Sequence, residues 1–136
     1  EGGTGIAVDR EHHRIFSACS NNKLVVLDSD TGKVVATPTI GSDPDGAAFD
    51  AATGTIFTSN TDGTLTVIHE DTPDKYTVVQ NVTTEPGCRT IAIDPEGGRV
   101  FLPTVKYGPT PAPTKEVPEP RPVVLPDTFH LVVVSR

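Results

Sequence analysis

An all-β fold assembled from three tandem copies of a four-strand unit is what this sequence predicts, on three observations. A short motif recurs at separations of 41 and 44 residues. Strand-forming runs of about five residues alternate with turn residues. The chain also carries 12 glycines and 13 prolines beside few aromatics and no Met or Trp, a balance that favours short strands and many turns over helices. At 136 residues it is long enough for one domain with its own core.

Each element of the unit can be followed through the copies. The first strand reads Ile6-Ala7-Val8-Asp9, then Ala47-Ala48-Phe49-Asp50, then Ile91-Ala92-Ile93-Asp94, each ending in an aspartate. A carboxylate there accepts backbone N–H groups of the following turn, and Gly54, Gly97 and Gly98 supply the positive φ that such turns need. Ala7, Ala48 and Ala92 mark the crowded middle of the innermost strand. The second strand follows as Arg14-Ile15-Phe16, Thr55-Ile56-Phe57 and Arg99-Val100-Phe101, with the three phenylalanines in register. The third is Lys23 to Asp28, Thr64 to His69, and, delayed by about 22 residues, His130 to Val134. A fourth is present as Lys33 to Thr37 and Lys75 to Val79, and the last copy has none.

Four short strands on this period describe a β-propeller blade. The expectation is a partial β-propeller of three four-stranded antiparallel blades, at about 3–42, 43–85 and 86–136, the last lacking its outer strand in this chain. A proline-rich insertion at 107–127 interrupts the third. Its near-alternating prolines bias it to extended polyproline II, either clamping a neighbouring chain, covering the mouth of the central channel, or staying disordered.

The runs Gly5-Ile6-Ala7-Val8-Asp9, Lys23 to Asp28 and Asp30 to Thr37 resemble the YVTN β-propeller repeat family, the YncE-like proteins, over essentially the whole chain. The stretch from Arg89 through the proline arm to Arg136 is similar to a C-terminus of one branch of that family. The resemblance implies a larger ring of which this chain supplies about three blades. It also implies a periplasmic or secreted location. An open blade face and an unpaired edge lead us to expect self-association, as a homo-oligomer, or pairing with the remaining blades of a parent propeller.

Charge and motifs narrow the function. A formal net charge of −7 with no basic cluster argues against a nucleic-acid or anionic-membrane partner. No run approaches the roughly 18 to 20 apolar residues of a membrane span. Cys19 and Cys88 lie in different copies without a CxxC partner, which reads as two free or buried thiols, and no zinc or other metal site is expected anywhere in the chain. No cofactor is expected.

In a propeller the connections between second and third strands and between blades share one end, where ligands gather. Asp43, Asp45, Asn60, Arg89, Lys106 and Tyr107 fall there and form the candidate ligand site. The Arg89 guanidinium is suited to a carboxylate or phosphate, with an inter-blade ion pair to Asp45 as the favoured alternative. Asp43 and Asp45 read better as turn residues around Pro44 and Gly46 than as an acid/base pair. His12 and His13, at the opposite end, read as solvated turn histidines. Ser17, Ser20 and Ser59 lack a nucleophile elbow, so no catalytic triad is indicated. The expected function is a non-enzymatic binding or structural module for a small-molecule or protein ligand. A propeller-type hydrolase or lyase, lactonase-like, with its site at the channel mouth is the alternative.

Overall fold

The computed structural model describes residues 2–135, and among them there is no helix. Sheet 1 is β1 (Gly3–Asp9), β2 (Arg14–Cys19), β3 (Lys23–Asp28) and β4 (Val34–Ala36). Sheet 2 is β5 (Pro44–Asp50), β6 (Thr55–Asn60), β7 (Thr64–Thr72) and β8 (Lys75–Thr83). Sheet 3 is β9 (Ala92–Asp94), β10 (Arg99–Thr104) and β11 (His130–Ser135). Each is an antiparallel meander in chain order, and among the described residues sheet 3 has three strands.

The copies share one register, because the pairings Phe16↔Val26, Phe57↔Val67 and Phe101↔Val133 are equivalent. The aspartates close the first hairpin turn as their chemistry demands. Asp9 Oδ1 accepts Glu11 N–H at 2.9 Å, Asp50 Oδ1 accepts Ala52 N–H at 3.0 Å, and Asp94 Oδ1 accepts Gly97 N–H at 3.0 Å. Four residues after each aspartate the backbone turns left-handed, at His13 (φ 56°), Gly54 (60°) and Gly98 (61°). Gly97 is not in that region. It gives room instead, since a Cβ there would collide with the Asp94 carboxylate.

The sheets stack face to face, with β1 against β5 and β5 against β9. At Gly5 a Cβ would lie 2.6 Å from Ala47 N and Gly46 C, so the innermost backbones approach as closely as only glycine permits. Between sheets 1 and 2 the core is Phe16, Leu24, Val26, Ile56 and Ile68. The Phe49 and Tyr76 rings sit 5.2 and 5.9 Å from that of Phe16. Between sheets 2 and 3 it is Phe57, Leu65, Val100, Leu102 and the buried thiol Cys88. Each such large side chain contributes about 1.5–3 kcal/mol on burial. Both cysteines are free and buried.

The two outer faces break the pattern. Ile6 and Val8, 67% and 49% exposed, occupy on sheet 1 the register positions where Ala47 and Phe49 on sheet 2 are half-buried and packed against the core. Leu131 and Val133, each 51% exposed, occupy on sheet 3 the positions of buried Leu24 and Val26 on sheet 1. The long β10–β11 connection begins as an extension of the hairpin. A Tyr107↔Val124 bridge forms its stem, with Gly108 N–H donating to Val123 O and Leu125 N–H to Lys106 O. Beyond it, residues 109–119 are exposed.

Candidate functional site

The predicted ligand residues lie at the end of the sheets that carries the long connections, and they divide. Asn60 is fully buried, its amide donating to Thr64 and Thr66 Oγ1 at 3.0 Å each, so its donors serve the fold. Asp43 is exposed with φ 51°, and its carbonyl accepts the Thr61 N–H and hydroxyl. Asp45 does not pair with Arg89. Its Oδ2 accepts Thr90 N–H at 2.6 Å, which ties the loop before β9 to β5. That bond captures the carboxylate, and among the described residues the exposed Arg89 guanidinium has no ion-pair partner. Lys106 and Tyr107 are exposed at the stem of the arm, where the Tyr107 ring lies over Gly87 closely enough that a Cβ there would be 2.6 Å from Cε2. His130 pairs with Glu85 at 2.9 Å beneath the arm.

A second constellation stands at the opposite end, at the hairpin turns. Among the described residues one group of three metal-ligating side chains converges, Asp9, His12 and Glu70, with their donor atoms within 4.8 Å of one another. His12 Nδ1 lies 2.6 Å from Asp9 Oδ2 and 3.4 Å from Glu70 Oε1. The Asp9 and Glu70 side chains are each 3% exposed and that of His12 43%, so the imidazole caps a buried pair of carboxylates. Tyr76 donates its hydroxyl to Pro73 O at 2.8 Å and stands 3.4 Å from Glu70 Oε1. Glu70 Oε2 is buried without a hydrogen-bond partner.

The electrostatics follow from this crowding. Burial, reinforced by the Asp9 charge, raises the Glu70 carboxyl above its usual range. Asp9 is also buried, but the N–H groups of Glu11 and His12 and the His12 ring outweigh desolvation and lower it. The hydrogen bond to Asp9 raises His12. Arg14 braces the same junction, its Nε donating to Pro73 O at 2.8 Å and its terminal nitrogens bonding Asp74 at 2.9 Å and Asp28 at 3.1 Å.

His12 is therefore more than a solvated turn histidine. The sequence offers Asp9 three residues before it, but Glu70 arrives from another sheet. Its one signal is periodicity, for Thr66, Ile68 and Glu70 alternate on the face of β7 that is buried, where a carboxylate is out of place.

A third feature is a cleft of about 310 Å³ between sheets 2 and 3, lined by Phe57, Val67, Val82, Ile93, Arg99 and Val134 among others.

No family model and no curated protein matches the chain. Among solved structures it is similar to Kuenenia stuttgartiensis hydrazine synthase, with a TM-score of 0.69 and 14% identity over 80% of this chain and 31% of that one. It is similar also to Saccharomyces cerevisiae Sqt1, with a TM-score of 0.64 and 12% identity over 78% of this chain and 32% of that one. The computationally designed Ika4 protein matches with a TM-score of 0.60 and 15% identity, over 79% of this chain and 62% of that one. The chain thus spans about a third of the length of the first two. These likenesses carry the fold alone, an all-β arrangement of repeated antiparallel sheets of β-propeller-like kind.

Proposed function

We propose that the three sheets are consecutive blades of a β-propeller of the YVTN-repeat kind, and that the protein is a non-enzymatic binding or structural module. Its open faces pack against further blades, from a second copy or from the rest of a larger ring, and its loop end meets a small-molecule or protein ligand through Arg89, Lys106 and Tyr107. One observation carries this reading. The register positions that are apolar and buried or half-buried between sheets are also apolar, yet exposed, on both outer faces. A sheet that needed no neighbour would place polar side chains there. The two faces differ, one built on Ile6 and Val8 and the other on Leu131 and Val133, so contact between copies is head to tail and closes into a ring only if the rotation allows.

Light scattering across a concentration series tests the proposal. We expect a mass above that of one chain, rising with concentration and reduced by Val133→Asp. A single-chain mass at every concentration, with outer faces that bind no hydrophobic dye, would refute it.

A further inference from the structure

The geometry points to a binding site for one divalent ion of the zinc class, held by Asp9, His12 and Glu70 between sheets 1 and 2 at the hairpin end. The inference is independent of the proposed function. The donor set comes first. One imidazole nitrogen and one oxygen from each carboxylate lie within 4.8 Å of one another. A zinc ion with bonds of about 2.0–2.2 Å gathers its donors within roughly 4 Å, so closing the set asks for only a small movement of a partly exposed turn histidine. Imidazole with carboxylate suits zinc and its transition-metal neighbours, whereas magnesium and calcium take all-oxygen sets.

Glu70 Oε2 supplies a second and separate indication. It belongs to a side chain 3% exposed and has no hydrogen-bond partner. A buried carboxylate oxygen without a donor is a costly arrangement that a cation removes. No lysine or arginine serves in its place among the described residues. Arg14, which braces the same junction, bonds Asp28, Asp74 and backbone carbonyls instead.

The repeats provide the third indication. The position three after the turn aspartate is His12 in sheet 1, Thr53 in sheet 2 and Gly97 in sheet 3. Thr53 hydroxyl donates to Asp50 Oδ2 at 2.8 Å, and Gly97 N–H donates to Asp94 Oδ1 at 3.0 Å. The hairpin closes with any of the three, so folding alone does not call for an imidazole. Among the described residues only the sheet 1 slot carries one, and only there does an inward Glu from the next sheet meet it. Three protein donors leave a position for water, and the exposed edge of His12 gives the ion a path in.

The full chain, stripped with EDTA and dialysed against zinc sulfate, tests this by metal analysis, calorimetric titration and thermal denaturation. We expect one zinc per chain and a Tm raised by roughly 5–10 °C at a hundredfold excess over Kd. His12→Thr, which adopts the sheet 2 solution, and Glu70→Gln should each weaken binding by at least about 100-fold with unchanged far-UV circular dichroism. His13→Asn should keep it. A wild type that holds no zinc would overturn the inference. Equal binding by His12→Thr would overturn it as well, by placing the ion on other histidines.

Discussion

Phe16 and Phe101 occupy the same register position in sheets 1 and 3, yet truncating them should have very different costs. Phe16 is fully buried, and its ring meets those of Phe49 at 5.2 Å and Tyr76 at 5.9 Å. Phe16→Ala loses the transfer free energy of the ring and leaves a cavity, together about 3–5 kcal/mol. The two ring contacts, each worth about 0.5–1.5 kcal/mol beyond burial, place the loss near 4 kcal/mol. Phe101 faces the open side of sheet 3, half-buried, with the Arg99 guanidinium 5.6 Å from its ring centre. About half of the 1.5–3 kcal/mol for a fully buried side chain is at stake, near 1 kcal/mol. The assay is urea denaturation at a concentration where light scattering gives a single-chain mass. At about 1–3 kcal/mol per molar urea, the midpoints of the two variants should differ by roughly 1 M or more. Equal midpoints would refute the stacking order, because the outer face of sheet 3 would then be as covered as the junction of sheets 1 and 2.

The loop end and the arm give further expectations. Asp45→Ala removes the acceptor of Thr90 N–H and should lower stability by about 1 kcal/mol, while Arg89→Ala, which removes no ion pair among the described residues, should stay within about 0.5 kcal/mol of wild type; thermal denaturation in which the two are reversed would restore an Asp45–Arg89 strut. His130 is raised above its ordinary value by the Thr128 carbonyl and then by Glu85. A group so raised stabilises the fold fully below its unfolded value of 6.5 and loses that contribution as pH climbs through the folded value. Limited proteolysis of the arm at 105–129 should therefore accelerate as pH rises from 6 through that value, and Glu85→Gln should move the onset toward 6.5; a cleavage rate flat with pH would show that the pair does not fasten the arm.

Most of the architecture is legible in the residues because it is local. The aspartate, the turn and the aromatic strand lie within a dozen residues of one another, so period and alternation place β1, β2, β5, β6 and β10 to within a few positions. The third and fourth strands follow from the same repeat, including the delayed β11. Bounds are less legible. The first strand of sheet 3 shrinks to Ala92–Asp94, since the Asp45 bond to Thr90 holds the preceding segment in a left-handed turn. Asn60 was out of reach for a related reason. A polar residue at the end of a strand looks like a loop residue until the neighbouring Thr64 and Thr66 are seen to enclose it.

The Asp9, His12 and Glu70 set marks where local reasoning stops. Within its own hairpin, His12 has only Asp9 and Glu11 for company, and two short-range carboxylates on a turn are ordinary solvated chemistry. The third member lies 58 residues further on, in the third strand of the next sheet. Stacking alone brings it in: adjoining sheets set the first turn of one against the third strand of the next, and the Arg14 bonds to Pro73 and Asp74 fix that junction. An inward charge can therefore be located from the strand period, but its partner requires knowing which sheet lies beside it and which ends are level. In a tandem array both follow once the order of the sheets is known. An acidic residue at an inward position of one third strand is then a reason to inspect the first turn of the preceding sheet for a histidine.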